Sequence, residues 1–396
     1  MSHPDLTAKP DTGRAANIAF GVGVVAVGVL FAGYFSNPKT FYQAYLMGFL
    51  FWVNMALGCL ALVMVQHLTG GAWGVMIRRM AEAGIRTLPM MAVLFVPLGL
   101  FGVHKLYKWS NPEIVAVDHV LQHKAPYLNV PGFQIRALVY FALWCGIGYL
   151  LVRLSRRQDA TGEPGLGRTF ARVSAVGGIL YFVSMTFASV DWGMSLDPHW
   201  FSSMYGVIFI IGQALGAVAL LLVTGILLAR SEPMRTVFRT DVMHDLGKLM
   251  LAFTMLWAYV CFSQYLIIYS ANLKEEIPYY IRRGQGGWEF VTVLLVACNF
   301  VLPFMVLLSR DVKRSRRMLL WVAVWVAALR YLDLYWMLAP SMRGDSLAGA
   351  LTWMDAAALA GIGGLWLGMF LRGLGSQPVV PARDPAFQEA MAHGGH

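Results

Sequence analysis

The sequence predicts an all-α integral membrane protein with about ten transmembrane helices, and three observations lead there. Hydrophobic residues make up 58% of the 396-residue chain and charged residues 13%, against about 45–50% and about 25% in soluble domains. The mean hydropathy is +0.59, and the apolar residues gather in runs nearly free of charge, each close to the roughly 20 residues that cross a bilayer as a helix. None of the runs alternates as a membrane barrel strand does. This excludes an ordinary soluble enzyme, and the 13 Trp, 16 Tyr and 23 Phe exclude disorder.

The runs are taken in chain order, as residues 15–372 of one transmembrane domain. After a polar tail over 1–14, the run 15–35 is too long for the core of a cleavable signal peptide and is predicted as the first helix. The second helix is predicted over 41–66. The third, 86–104, contains Pro89 and Pro97, which are expected to kink it. The fourth and fifth, 132–152 and 171–190, flank a basic cluster at Arg153, Arg156 and Arg157. The sixth, seventh and eighth follow at 202–229, 247–270 and 287–309, the eighth with a kink expected at Pro303. The ninth and tenth, 317–338 and 348–371, are interrupted by charge. Residues 373–396, with Pro378, Pro381 and Pro385, read as a disordered tail.

Orientation follows from the basic residues. The segments on the side of the two termini hold 21 Lys and Arg, those on the opposite side 8, and Arg136 and Arg330 fall inside spans. Both termini are therefore predicted to be cytoplasmic. The net charge of +10 belongs to these loops and is not a nucleic-acid footprint.

Redox ligands are scarce. Cys59, Cys145, Cys261 and Cys298 sit singly in apolar runs, without the spacing of a zinc or iron–sulfur site. Of the histidines, His67 and His104 lie near helix ends on opposite sides, so they cannot share a heme. His119 and His123, beside Asp118, share a helical face at zinc-compatible spacing, but an amphipathic surface segment is the plainer reading. No resident metal or covalently bound cofactor is expected.

Three polar groupings remain. In the loop after the fifth span, Asp197-Pro198 reads as a helix start, and Trp192 and Trp200 suit an interfacial aromatic belt. Asp191 and His199, with His104 closing the third span on the same side, form a candidate quinone site, where carboxylate and imidazole accept the protons of quinol oxidation. They serve equally to satisfy a short turn. Arg330 and Asp333 share a face of the ninth span, and Asp355 is estimated at the same depth of the tenth; the three are expected to form one buried ion-pair cluster or part of a proton path. His67, in the segment Gln66–Gly74, is a candidate for a proton entry or simply for a tight turn. Asn54, Gln66, Gln213, Ser263, Gln264 and Asn299 read as interhelical glue.

Several blocks together resemble a known family: HLTGGAWGVMIRR (67–79), HKAPYLNVP (123–131), VDWGMSLDPHWFSSMYG (190–206), LAFTMLWAYVCFSQYLIIYSANLKEEIPYYIRR (251–283) and LLSRDVKR (307–314). They resemble the ActF-type membrane subunits of alternative complex III, a bacterial quinol:cytochrome c oxidoreductase, within the NrfD-like, polysulfide-reductase membrane-anchor group. The resemblance implies two four-helix bundles, from spans two to five and six to nine, with spans one and ten outside. It implies a bacterial inner-membrane complex with a second NrfD-like subunit, an iron–sulfur subunit, multiheme and monoheme cytochromes c, and in some assemblies a terminal oxidase. Hemes and clusters would sit in those partners. A quinone, menaquinone or ubiquinone, and a proton-conducting role are further implications. The alternatives are an independent secondary transporter or an anchor for a molybdenum-type reductase.

Overall fold

A computed structural model describes residues 6–163 and 165–393. Ten helices are long and apolar enough to cross a membrane. They are α1 (Gly13–Ser36), α2 (Pro38–Thr69), α3 (Ala72–Leu106), α4 (Val130–Thr161), α5 (Leu166–Trp192), α6 (Tyr205–Leu228), α7 (Thr240–Ala271), α8 (Trp288–Leu308), α9 (Arg316–Arg343) and α10 (Trp353–Gly375). The described residues contain no strand. Ten crossings bring the ends of the helical region to one side, the terminus face; the other side is the far face.

Two helices carry the packing. In their most apolar stretches α2 is 78% buried and α6 72%, against 17% for α1. A helix that is apolar all round belongs inside a bundle. α2 packs on α3 and α5, and α4 on α5; α6 packs on α7 and α9, and α7 on α8. The two groups meet where α2 crosses α6. Gly58 permits that crossing: a Cβ there would fall against the backbone of Gln213 and within 2.7 Å of the Ala217 side chain. Small residues let helix backbones approach closely where lipid supplies no hydrophobic drive. α1 and α10 pair with each other outside, and α10 rests on α2.

Local chemistry sets the ends. Asn37 accepts from the Thr40 N–H, with Pro38 at the start of α2; Asn129 does the same for Gly132 at the start of α4. The α2–α3 turn needs positive φ at Gly70 (72°) and Gly71 (99°). So the glycine-rich segment after His67 is the tight turn. The expected kink sites become wide turns: π-helical stretches run over Leu98–Gly102, directly after Pro97, and over Leu295–Val301, just before Pro303. Each offers a carbonyl to a neighbouring helix. Gln134 Nε2 donates to Gly99 O at 2.9 Å, and Trp325 Nε1 to Cys298 O at 2.9 Å. Pro89 opens the segment Leu88–Pro97 after a turn at Arg86–Thr87 instead of bending a continuous helix.

The C-terminal tail departs from the sequence expectation. It is folded: the helix Pro385–His393 packs on the first half of α3, and Val379, Val380 and Phe387 are buried. Asp384 pairs with Arg78 at 2.5 Å, and Arg383 Nη1 donates to Ala160 O at 2.8 Å. Proline content suggested disorder, but the apolar residues among and after the prolines are buried against the rest of the chain. At the other end, Thr12 Oγ1 donates to Leu371 O at 2.7 Å. Phe387→Ala is expected to cost about 3–5 kcal/mol, as for other buried aromatics, measured as a lowered thermal midpoint of the detergent-solubilised protein; an unchanged midpoint would mean the tail is undocked in solution.

Candidate functional site

Asp191, near the end of α5, is held by three donors. Arg136 of α4 binds it through both Nε and Nη2 at 2.9 Å, and Tyr140 Oη donates at 2.8 Å. Arg136 also donates to Tyr127 O at 3.0 Å and lies 4.0 Å from the Tyr127 ring centroid. The Asp191 side chain is 1% exposed. A carboxylate so bonded is a fastener between α4 and α5 and a poor acceptor for substrate protons.

The other predicted members lie elsewhere. His199 Nε2 meets Asp118 Oδ2 at 2.8 Å, with the imidazole half exposed. His104 is exposed at the far end of α3 and is a partner of neither Asp191 nor His199. Of the three residues expected at a quinone head group, Asp191 and His199 thus each have an ionic partner of their own. Asp197 is also reassigned. Instead of capping a helix at Pro198, it pairs with Arg282 at 2.7 Å, and α6 begins at Tyr205. Trp192 is 1% exposed, packed against Phe95, Phe141 and Trp144 inside the first bundle, not in an interfacial belt. Trp200 is buried as well and stacks on Tyr279 with ring centroids 4.0 Å apart.

These contacts weld the far face. Lys124 Nζ donates to Pro198 O at 2.6 Å, and Ser202 Oγ to Gln264 Oε1 at 2.7 Å. Arg283 is buried against the Tyr279 ring and donates to the carbonyls of Trp336 (3.1 Å) and Met337 (2.7 Å). Segments near residues 124, 197, 282 and 337 therefore form one cap. His119 and His123 lie exposed on a short helix, His119–Lys124, capped by Asp118. Among the described residues no three His, Cys, Asp or Glu side chains gather as a metal site.

A second polar centre lies in mid-membrane. Arg330 Nη1 donates to Asp333 Oδ2 at 3.3 Å, and the guanidinium carbon sits 4.8 Å from the Trp257 ring centroid. Both side chains border a cavity of about 30 Å³ between α2, α6 and α9, which Asn54 and Gln213 also line. That volume holds one or two waters, and Arg330 Nε and Nη2 have no protein partner. Gln213 Nε2 donates to Asn54 Oδ1 at 2.8 Å, and Tyr181 Oη donates to Gln213 Oε1. Polar side chains thus run from the second bundle into the first.

Asp355 is not in this centre. It binds Arg343 through two hydrogen bonds of 2.6 and 2.7 Å, and its carboxylate completes a capping box with Thr352. The expected shared depth is not observed, because α10 runs from Trp353 to Gly375, which puts Asp355 in its first turn. Its partner Arg343 is about 20 Å farther along α9 than Arg330, at 1.5 Å per residue. His67 is likewise apart from Arg330: it ends α2 and its Nδ1 meets Ser174 Oγ at 3.1 Å.

A third centre was missed in sequence. Arg78, Arg79 and Glu82, expected in a loop, lie on α3 and are 1–2% exposed. Arg79 donates to Glu82 Oε2 (2.8 Å) and Ser155 Oγ (2.9 Å) and pairs with Asp159; Arg78 pairs with Asp384 of the tail. The three- and four-residue spacing from the arginines to Glu82 was the available signal, because it puts them on one helical face.

No protein-family model matches the chain, and no curated protein sequence matches it. If Asp191 is a fastener, Asp191→Ala strands the Arg136 guanidinium and is expected to cost about 3–5 kcal/mol, while Arg136→Met with Asp191→Leu costs less than either single change. Thermal denaturation of the purified variants checks this; equal losses in single and double variants would reject the fastener role.

Proposed function

We propose that this chain is a non-catalytic membrane subunit of a bacterial quinol-oxidising complex of the alternative complex III type, in the role of its ActF-type subunit. The observation that carries the reading is the far-face cap. The blocks 123–131, 190–206 and 251–283, which carry the family resemblance, are joined there by Lys124–Pro198, Asp197–Arg282 and Ser202–Gln264 contacts. Charge and hydrogen-bonding capacity in those blocks go into rigidity, as a scaffold for peripheral subunits requires, and Asp191 is too fully bonded to serve as a base. On this reading quinol oxidation and the hemes and iron–sulfur clusters belong to partner subunits: the sister NrfD-like chain, an iron–sulfur protein and c-type cytochromes. The basic bias of the terminus face supports a cytoplasmic location for both termini, which makes the far face the outer one.

The test is an affinity tag on the C-terminus. Extraction in mild detergent is expected to bring down partners with heme-c absorbance and quinol:cytochrome c activity; recovery of a heme-free chain alone that moves a solute would favour a transporter. A C-terminal alkaline phosphatase fusion is expected to be inactive, and an active fusion would reverse the orientation.

The mid-membrane centre supports a proton-conducting contribution within the same complex. Arg330, Asp333, Asn54 and Gln213 surround a cavity of about 30 Å³, and a carboxylate beside confined water can pass a proton. Asp333→Asn is expected to leave quinol oxidation within about twofold of wild type while lowering the proton-to-electron ratio of the complex in vesicles. An unchanged ratio would confine the Arg330–Asp333 pair to structure.

A further inference from the structure

The far-face cap contains two adjoining hollows, one of about 440 Å³ and one of about 280 Å³, which share Lys124, Trp200 and Phe201 in their walls. Both fall in or near the range of small-molecule sites, roughly 300–1,000 Å³. Their walls differ in chemistry. The larger is lined by Lys124, Lys274 and Arg282, with Asp197, Glu275 and His199 among the facing groups. Arg282 is taken by Asp197 and His199 by Asp118, so the two lysines face Glu275 as the remaining acid. The smaller hollow is lined by Tyr127, Leu128, Val190 and Met194 and is largely apolar.

Three further observations point to what such a two-part site takes. Trp200 is 4% exposed and borders both hollows, yet its indole N–H has no partner in the protein. Phe201, on the shared wall, is 50% exposed, and the Lys124 ammonium lies 5.9 Å from its ring centroid. Burial pulls Lys124 below the ordinary lysine range, with nearby Asp197 opposing the shift. The depth also fits. Lys124 precedes α4, Trp200 joins α5 to α6, and Lys274 follows the end of α7 at Ala271 by three residues. That is the level of lipid head groups, where aromatic and basic anchors concentrate.

We propose that the two hollows bind one anionic phospholipid, its phosphate between Lys124 and Lys274, and an acyl chain along Phe201 and the apolar hollow. A neutral quinol would leave the basic excess of the larger hollow, Lys124, Lys274 and Arg282 against Asp197 and Glu275, unbalanced, and a free phosphate would leave the apolar hollow unfilled. The site is independent of the respiratory reading, since it rests on this chain's own walls.

The test is native mass spectrometry of the full-length chain, alone and in any complex it forms, after extraction from vesicles of phosphatidylglycerol mixed with phosphatidylcholine. Phosphatidylglycerol is expected to be retained preferentially by wild type and by Lys39→Glu, which makes the same charge change in the first turn of α2. Lys274→Glu alters an exposed residue and is expected to lower retention by about fivefold or more, the scale of one basic contact near a lipid surface. Phe201→Ser is expected to weaken retention without changing the preference for phosphatidylglycerol. Soluble glycerol 1-phosphate is expected not to displace the lipid. Equal retention by Lys274→Glu and wild type, an equal loss in Lys39→Glu, retention of phosphatidylcholine as well as phosphatidylglycerol, or displacement by glycerol 1-phosphate would each overturn the assignment.

Discussion

An unpaired charge in hydrocarbon is the cost around which this protein is arranged. A central arginine or aspartate costs about 2.5–3.5 kcal/mol even on the milder insertion scales. Five groups of charged side chains meet that cost with opposite charges: Arg136 with Asp191, Arg79 with Glu82 and Asp159, Arg78 with Asp384, Arg343 with Asp355, and Arg330 with Asp333. Four of these associations link different helices or a helix with the tail, so each also fixes where two elements stand relative to one another. Arg330–Asp333 is the exception, because both lie on α9 and the pair turns towards a cavity. A charge paired within its own helix ties nothing together, which is why this centre alone has a reading beyond structure.

The rest of the architecture follows from α2 and α6. Both are buried on nearly every face, and Gly58 lets them cross at backbone distance. Each then carries its own set of neighbours, and the outer pair α1 and α10 closes on α2. Asn54 and Gln213 bond across this crossing, so the polar thread from Arg330 to Tyr181 passes through the seam between α2 and α6.

The hydropathy pattern was enough to read ten helices and their order, because charge-free stretches of adequate length leave little alternative in a bilayer. Helix ends were less legible, for one recurring reason. Hydropathy counts each charge as if alone, whereas a paired charge can lie within a helix. A helical segment, Ala72–Ile85, precedes the predicted start at 86 because Arg78, Arg79 and Glu82 neutralise one another and their partners, and α9 runs on to Arg343 because Asp355 receives it. The same blindness separated Asp355 from its true partner and let the tail, whose Asp384 pairs with Arg78, read as disordered. Candidate residues fared by their local context. Arg330 and Asp333, three apart on one helix, were legible as a pair. The Asp191–Arg136 contact depends on how α4 packs beside α5, and no local spacing encodes that.

The Arg78–Asp384 contact has a consequence for the order of assembly. Arg78 enters with the third helix, while Asp384 lies beyond the tenth and is synthesised after it. Through the insertion of seven further helices the arginine must wait near water at the terminus face, and its final burial reports that the whole chain has arrived. The tail therefore acts as a completion seal: the ends of α3 and α4 become dry only in a molecule whose every crossing is already in place.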